Sequence, residues 1–345
     1  MKKYLFLLLM AFPACFVSAQ NKWDKEPYLV KSLSSESIKN IEAKTSGGSI
    51  LVAGGNPSDS RIEVYVSPSN SNSSMNKEEL KQRLDQLYDL DISVAKGELS
   101  AIAKSKQEIK DWKKSLNIAF KIYVAQNVST NLKTSGGSIS LSNLHGTQKF
   151  QTSGGSLHID QITGQIDGKT SGGSIRLQNS RDDIHLSTSG GSISASDCSG
   201  TIDLKTSGGS LELSDLKGVI NAKTSGGSIN GEAVEGELEA RTSGGSVHLK
   251  NIKSSLKTST TGGNMKVEIT QLGKYIDISN SGGDISVTLP KTKGLDLDIS
   301  GRIAETNFQN FDGKIDEKTV KGKLNGGGIP VKIEAKSGRV MLQLN

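Results

Sequence analysis

The chain is poor in the residues that usually carry chemistry. Two cysteines among 345 residues, Cys15 and Cys198, cannot build a disulfide framework. Aromatic residues make up 4% of the sequence, and between Thr134 and Ser300 the only ones are Phe150 and Tyr275. Carbohydrate sites stack sugars on exposed rings, so this scarcity argues against a glycan-cleaving enzyme or a lectin on that stretch. After residue 19 no run is apolar enough to form a transmembrane helix. Strong charge is also missing. Lysine and arginine number 42 against 36 acidic residues, or 40 against 36 once Lys2 and Lys3 are removed with a leader. That excess is too mild to imply nucleic acid.

What the chain has in quantity is repetition. The phrase Lys-Thr-Ser-Gly-Gly-Ser-Ile recurs with its first glycine at Gly136, Gly154, Gly172, Gly190, Gly208, Gly226, Gly244 and Gly262, an interval of 18 each time. A fixed period of this length means stacked copies of one small unit, none of which can bury its apolar face alone. Counting each repeat from its threonine, the copy Thr206–Lys223 has apolar residues at positions 6, 8, 11, 15 and 17: Leu211, Leu213, Leu216, Ile220 and Ala222. Spacing by two is the strand period, and extending it places the threonine inward too. The Gly-Gly pair is expected to turn the chain through positive φ, as is position 13, which is glycine except at Asp182, a residue that tolerates the same corner, and Ser254. Each repeat then closes one coil of short strands, and like positions stack in parallel about 4.8 Å apart. The expected fold is all-β: a single-stranded parallel β-helix of 18-residue coils, right-handed by the crossover preference.

Columns follow from the stacking. Position 10 (Asn143, Gln161, Asn179, Asp197, Asp215, Ala233, Asn251) reads as a ladder of side-chain amides beside a turn. Position 5 is serine from Ser138 to Ser246, able to hydrogen-bond between coils. Position 11 is mostly apolar and includes Cys198, where a buried, unreactive thiol is expected.

Residues 1–19 read as a secretory signal: Lys2 and Lys3, an apolar run from Tyr4 to Phe12, then Val17-Ser18-Ala19. Export to the periplasm, outer surface or medium is therefore expected; lipidation at Cys15 is disfavoured by the preceding Phe12-Pro13-Ala14. Residues 20–345 form one domain. Its parts are a first coil with a helix-containing insertion (37–133), regular repeats (134–290), and C-terminal coils with a cap (291–345). The helix is predicted over about 77–89. Asn76 and Glu79 make a capping-box start, Leu80, Leu84 and Leu87 share a face, and packing on an end or flank of the stack is expected. Leu324-Asn325-Gly326-Gly327-Gly328-Ile329 reads as a last, degenerate corner.

The leader, the early coil, the helical interruption, the Thr-Ser-Gly-Gly-Ser-Ile coils and the closing Leu-Asn-Gly-Gly-Gly segment together resemble the bacterial "putative adhesin" family of secreted β-helices, from about Ser37 to Asn345. The resemblance implies an exported β-helix engaged in surface binding, and brings no catalytic residues with it.

Residue by residue, candidate sites are few. Lys169, Lys205, Lys223 and Arg241 share position 18 and face out, a basic stripe that could meet an anionic envelope polymer or surface glycan. Position 16 beside it carries Asp167, Asp203, Asn221 and Glu239, which would partly neutralise it. Asp197 and Asp215 stack, but a hard cation wants six or more oxygens, and the calcium-roll pattern of aspartates is missing. Of the four histidines, His145, His158, His185 and His248, only His158 and His248 share a repeat position, five coils apart, too far for one metal. No metal, cofactor or catalytic group is expected. The expected function is that of an exported, non-enzymatic binding or structural protein of the cell envelope. The alternatives are a polysaccharide lyase or hydrolase on the same fold and a self-assembling envelope scaffold.

Overall fold

The computed structural model describes residues 26–70, 75–109, 111–291, 294–304 and 308–345. The expected leader, with Cys15, lies outside them.

From Ile139 onward the backbone pairs in parallel with itself at an offset of 18. Leu157 faces Ile175, Ile175 faces Ile193, Ile193 faces Leu211, Leu211 faces Ile229 and Ile229 faces Val247. Val247 faces Met265, and Met265 then faces Ile285, two residues further on than the earlier interval. The apolar positions line the interior of this stack and are buried throughout, from Ile139 and Leu141 to Ile285 and Val287. Side-chain size is traded between adjacent coils. A Cβ on Gly168 would lie 2.3 Å from the Phe150 ring, so the glycine is the space the phenylalanine occupies.

The corners are built differently from the sequence expectation. The Gly-Gly glycines do not adopt positive φ. The second glycine is required because successive corners stack too closely for a side chain: a Cβ on Gly155 would sit 1.9 Å from the Gly137 carbonyl oxygen, and one on Gly209 2.1 Å from that of Gly191. Positive φ belongs instead to positions 10 and 13. Gly146, Gly164, Gly200, Gly218 and Gly236 have φ between 116° and 127°, and Asp182 has 89°. Every member of the position-10 column, from Asn143 to Asn251, has φ between 49° and 55°.

The expected amide ladder is therefore a column of left-handed residues, the conformation Asn and Asp tolerate best. Its side chains bond elsewhere. Asn179 Nδ2 donates to Asp160 Oδ1 (2.8 Å) and Asn143 Nδ2 to the Gly54 carbonyl (2.9 Å). Ala233 is the poorest fit in that column. Ala233→Asn should raise stability by about 0.5–1 kcal/mol, read as a higher urea midpoint at unchanged slope; an unchanged or lower midpoint would contradict the assignment.

Two columns of hydroxyls hold the ridge together. The position-1 threonines are buried. Thr170 Oγ1 donates to the Gly155 carbonyl (2.8 Å) and accepts from the Gly173 N–H (3.3 Å), and Thr206, Thr224 and Thr242 repeat this arrangement one coil at a time. At position 5, most serine hydroxyls accept from the next coil's backbone, as Ser210 Oγ does from Ser228 N and Ser228 Oγ from Ser246 N.

Both ends depart from simple coiling. At the first, β1 (Leu29–Ser32), β2 (Asn40–Lys44), β3 (Ile50–Gly55) and β4 (Arg61–Pro68) precede helix α1 (Lys77–Leu87), and β5 (Tyr88–Ala95), β6 (Glu98–Ser105) and β7 (Leu116–Ala125) follow it. Strands β6 and β7 lie parallel to β2 and β3. Antiparallel strands are then laid outside them: β5 on β6, β4 on β7, and β1 on β4. Helix α1 packs against β4 and β5 at this end. Its Asn76/Glu79 capping box is formed, and Leu84 is buried.

At the other end come β8 (Leu295–Ala304), β9 (Phe311–Ile315), β10 (Thr319–Leu324) and β11 (Ile329–Leu344). Strand β11 slips inside its predecessors. It pairs with Ile276–Asn280 and Ile285–Leu289 on one side and with β8 on the other. Strands β10 and β9 follow outward, antiparallel. The Asn325–Gly328 segment, expected as a ridge corner, is instead the positive-φ turn joining β10 to β11. The corner that continues the ridge is Lys336-Ser337-Gly338-Arg339, where a Cβ on Gly338 would meet the Gly283 carbonyl oxygen at 2.0 Å.

Candidate binding surfaces

The position-18 stripe is assembled by the stacking. Lys205, Lys223 and Arg241 are direct neighbours in successive coils, while Ser187 separates Lys169 from Lys205. Acids of the adjacent column claim most of this charge. Lys205 pairs with Asp203 and Arg241 with Glu239, and Lys223 Nζ lies 3.5 Å from Glu239. Further along the acid column, Asn221 Nδ2 donates to Asp203 Oδ1 (3.1 Å), and His185 sits between Asp183 (3.1 Å) and Asp203 (3.8 Å). Exposed pairs of this kind contribute at most about 1 kcal/mol each, but they leave the face close to neutral.

The other sequence candidates do not gather into a site. Asp197 and Asp215 lie in neighbouring coils, each in a left-handed corner, and Asp215 accepts from Ser214 Oγ (2.6 Å). Among the described residues no three His, Cys, Asp or Glu side chains are grouped to hold a metal ion. The pKa of His158 is lowered by burial and by Arg176. Cys198 is 2% exposed and donates to the Ser196 carbonyl (3.0 Å). Burial pushes its thiol up to about 11, so at neutral pH the reactive thiolate is scarce as well as covered. In a Cys15→Ser background, Cys198 should resist a thiol reagent at pH 8 in the folded protein and react fully in denaturant. Rapid native labelling would overturn this burial.

Concavity is concentrated at the β8–β11 end. One notch of about 630 Å³ is lined by Lys291, Phe308, Asn310, Leu324, Leu342 and Leu344, among others. A second, of about 670 Å³, is lined by Ser300–Ile303, Glu317, Lys318 and Ala335–Gly338. The regular coils carry smaller grooves, such as one of about 250 Å³ beside Glu212, Asn230, Glu232, His248 and Lys250. Sequence reasoning did not reach the notches, because they depend on β11 lying inside β8. The corner-like Lys336-Ser337-Gly338-Arg339 was the available signal.

Residues 178–343, slightly under half of the chain, match the Toastrack DUF4097 family, and the resemblance drawn from the repeat phrase holds over that span. No curated protein matches the sequence. Among solved structures, a "putative cell adhesion protein" from Clostridium sporogenes is 11% identical, with 92% of this chain and 98% of that one covered at a TM-score of 0.20. A "putative adhesin" from Bacteroides fragilis is also 11% identical, with 92% and 96% covered at a TM-score of 0.23. At such TM-scores neither likeness carries an argument, and the fold rests on the strand pairings themselves.

Proposed function

We propose that this chain is an exported, non-enzymatic solenoid of the cell envelope that binds an extended partner, an anionic envelope polymer or surface glycan, along its polar faces. In this reading residues 1–19 direct export, residues 20–345 are one domain, and the coils wind right-handed. The supporting observation is the in-register parallel stack, which sets equivalent exposed side chains in rows, coil above coil. Rows of shallow, polar contacts are weak singly and gain by repetition along a polymer.

The test is fractionation followed by protease treatment of intact and lysed cells, read by immunoblot. Recovery with the envelope supports the proposal, and recovery with the cytosol refutes it. Cleavage on intact cells then assigns the outer surface, and protection until lysis the interior of the envelope.

A second reading, end-to-end assembly, is favoured by one observation. An outermost strand at each end exposes apolar side chains, Leu29 (40%) and Val30 (51%) on β1 and Ile315 (45%) on β9. Concentration-dependent filaments that vanish in Val30→Lys would establish it; a monomer at all concentrations would exclude it.

A further inference from the structure

We propose that the notch at the β8–β11 end of the Ser-Gly ridge is a binding site for an oxyanion, a carboxylate or phosphate group carried on a chain. The proposal is independent of where the protein resides and of what its long faces bind.

The notch arises from a mismatch in corner length. Strand β11 follows the ridge around its corner. Its Ala335 lies beside Asn280 and its Val340 beside Ile285, so Lys336–Arg339 stack on the Ser281–Asp284 corner. Strand β8, next outward, cuts the corner short. Ser300 faces Glu334 and Arg302 faces Arg339, so the single residue Gly301 (φ 141°) spans what takes β11 the four residues Ala335–Gly338. Where the next coil's Ser-Gly corner would lie, there is open space of about 670 Å³, a size typical of small-ligand sites.

Its walls are held in place. Gly301 N donates to the Lys318 carbonyl and Ile303 N to that of Glu317, both at 3.0 Å, fixing the β9–β10 turn to β8. Within that turn Asp316 Oδ1 accepts from Lys318 N (2.9 Å), Thr319 N (2.7 Å) and Thr319 Oγ1 (2.8 Å). Ser337 Oγ donates to the Ser281 carbonyl (2.7 Å). Arg339 is spent on Asp284, through its backbone N–H (2.8 Å) and guanidinium (2.7 and 3.2 Å).

The charge lining this space is not held in ion pairs, while Arg302 helps Arg339 to lower the pKa of the nearby Asp284. Arg302 from β8, Lys318 from the turn and Lys336 from β11 line the notch, with Glu317 as the one acid of the lining. Among the described residues, none of these four side chains makes an ion pair, in contrast to Lys205, Lys223 and Arg241 on the stripe. Three cations from three separate elements, with a net excess of two positive charges around one concave surface, can donate charge-assisted hydrogen bonds to an oxyanion.

Calorimetry of the purified protein with inorganic tripolyphosphate and with tetragalacturonate, at low salt, tests this. At least one probe should bind, and the Arg302→Gln/Lys318→Gln/Lys336→Gln variant should weaken that binding by about tenfold or more. A control with three lysines removed at the opposite end, Lys77→Gln/Lys113→Gln/Lys114→Gln, should bind like the parent. Whichever probe binds names the anion, phosphate or carboxylate. If the triple variant melts early, Lys318→Gln alone should still weaken binding by about threefold at an unchanged melting temperature. Equal affinity of parent and notch variants, loss of binding in the opposite-end control alone, or no binding of either probe at about millimolar concentration would each overturn the site.

Discussion

Gly191→Ala should split or unfold the stack, while the same substitution one residue earlier, Gly190→Ala, should be nearly silent. At Gly191 the new methyl would lie 2.1 Å from the Gly173 carbonyl oxygen, 2.5 Å from its carbon and 2.7 Å from Ser174 Cα. These are backbone atoms of a corner that is itself stacked on the one before, so no side chain can rotate away. Relief requires lifting one coil off its neighbour, at a cost of about 3 kcal/mol or more. At Gly190 the nearest atom is 3.6 Å away and φ is not positive. Alanine fits there, and the loss of unfolded-state freedom could add up to about 1 kcal/mol. Urea denaturation of the two variants measures the contrast directly. Unfolding free energies within about 0.5 kcal/mol of each other would show that the second glycine is not there to give room.

Thr206→Val should cost about 2–4 kcal/mol, much more than Thr206→Ser. Valine keeps the shape of the buried side chain but removes the hydroxyl that donates to the Gly191 carbonyl (2.7 Å) and accepts from the Gly209 N–H (3.3 Å). Both backbone groups then lose a buried partner, at about 1–3 kcal/mol each. Serine keeps both bonds and gives up one methyl, about 1 kcal/mol. Thermal unfolding of the pair decides the matter, and a valine variant no less stable than the serine one would remove the hydroxyl from the account of the ridge.

Much of this was readable from the residues. The interval between glycines set the pairing, alternation set which side chains point inward, and continuing it by one step put Thr206 inside. Asn76 and Glu79 announced the helix start. The misreadings share a cause: one residue type serves two physical purposes. Glycine gives either positive φ or room for a neighbour, and the sequence does not say which applies at Gly191. Asn and Asp suit either an amide ladder or a left-handed corner, and the column from Asn143 to Asn251 turned out to be the latter. The basic stripe was visible together with the acids that pair with it. The notch was not, because local periodicity carries no information about a strand that returns to lie inside an earlier one.

That returning strand sets the order in which this end can be finished. Residues 276–289 present an open edge from the moment they are laid down, and their lasting neighbour, β11, is made after β8, β9 and β10. The regular coils can be added in the order of synthesis, each templated by the last. The final layer cannot: β8 must wait, or bind early and be displaced. A chain delivered from its N-terminus onward would therefore zip through its repeats and then pause, with one sheet edge exposed, until residues 329–344 arrive to be inserted.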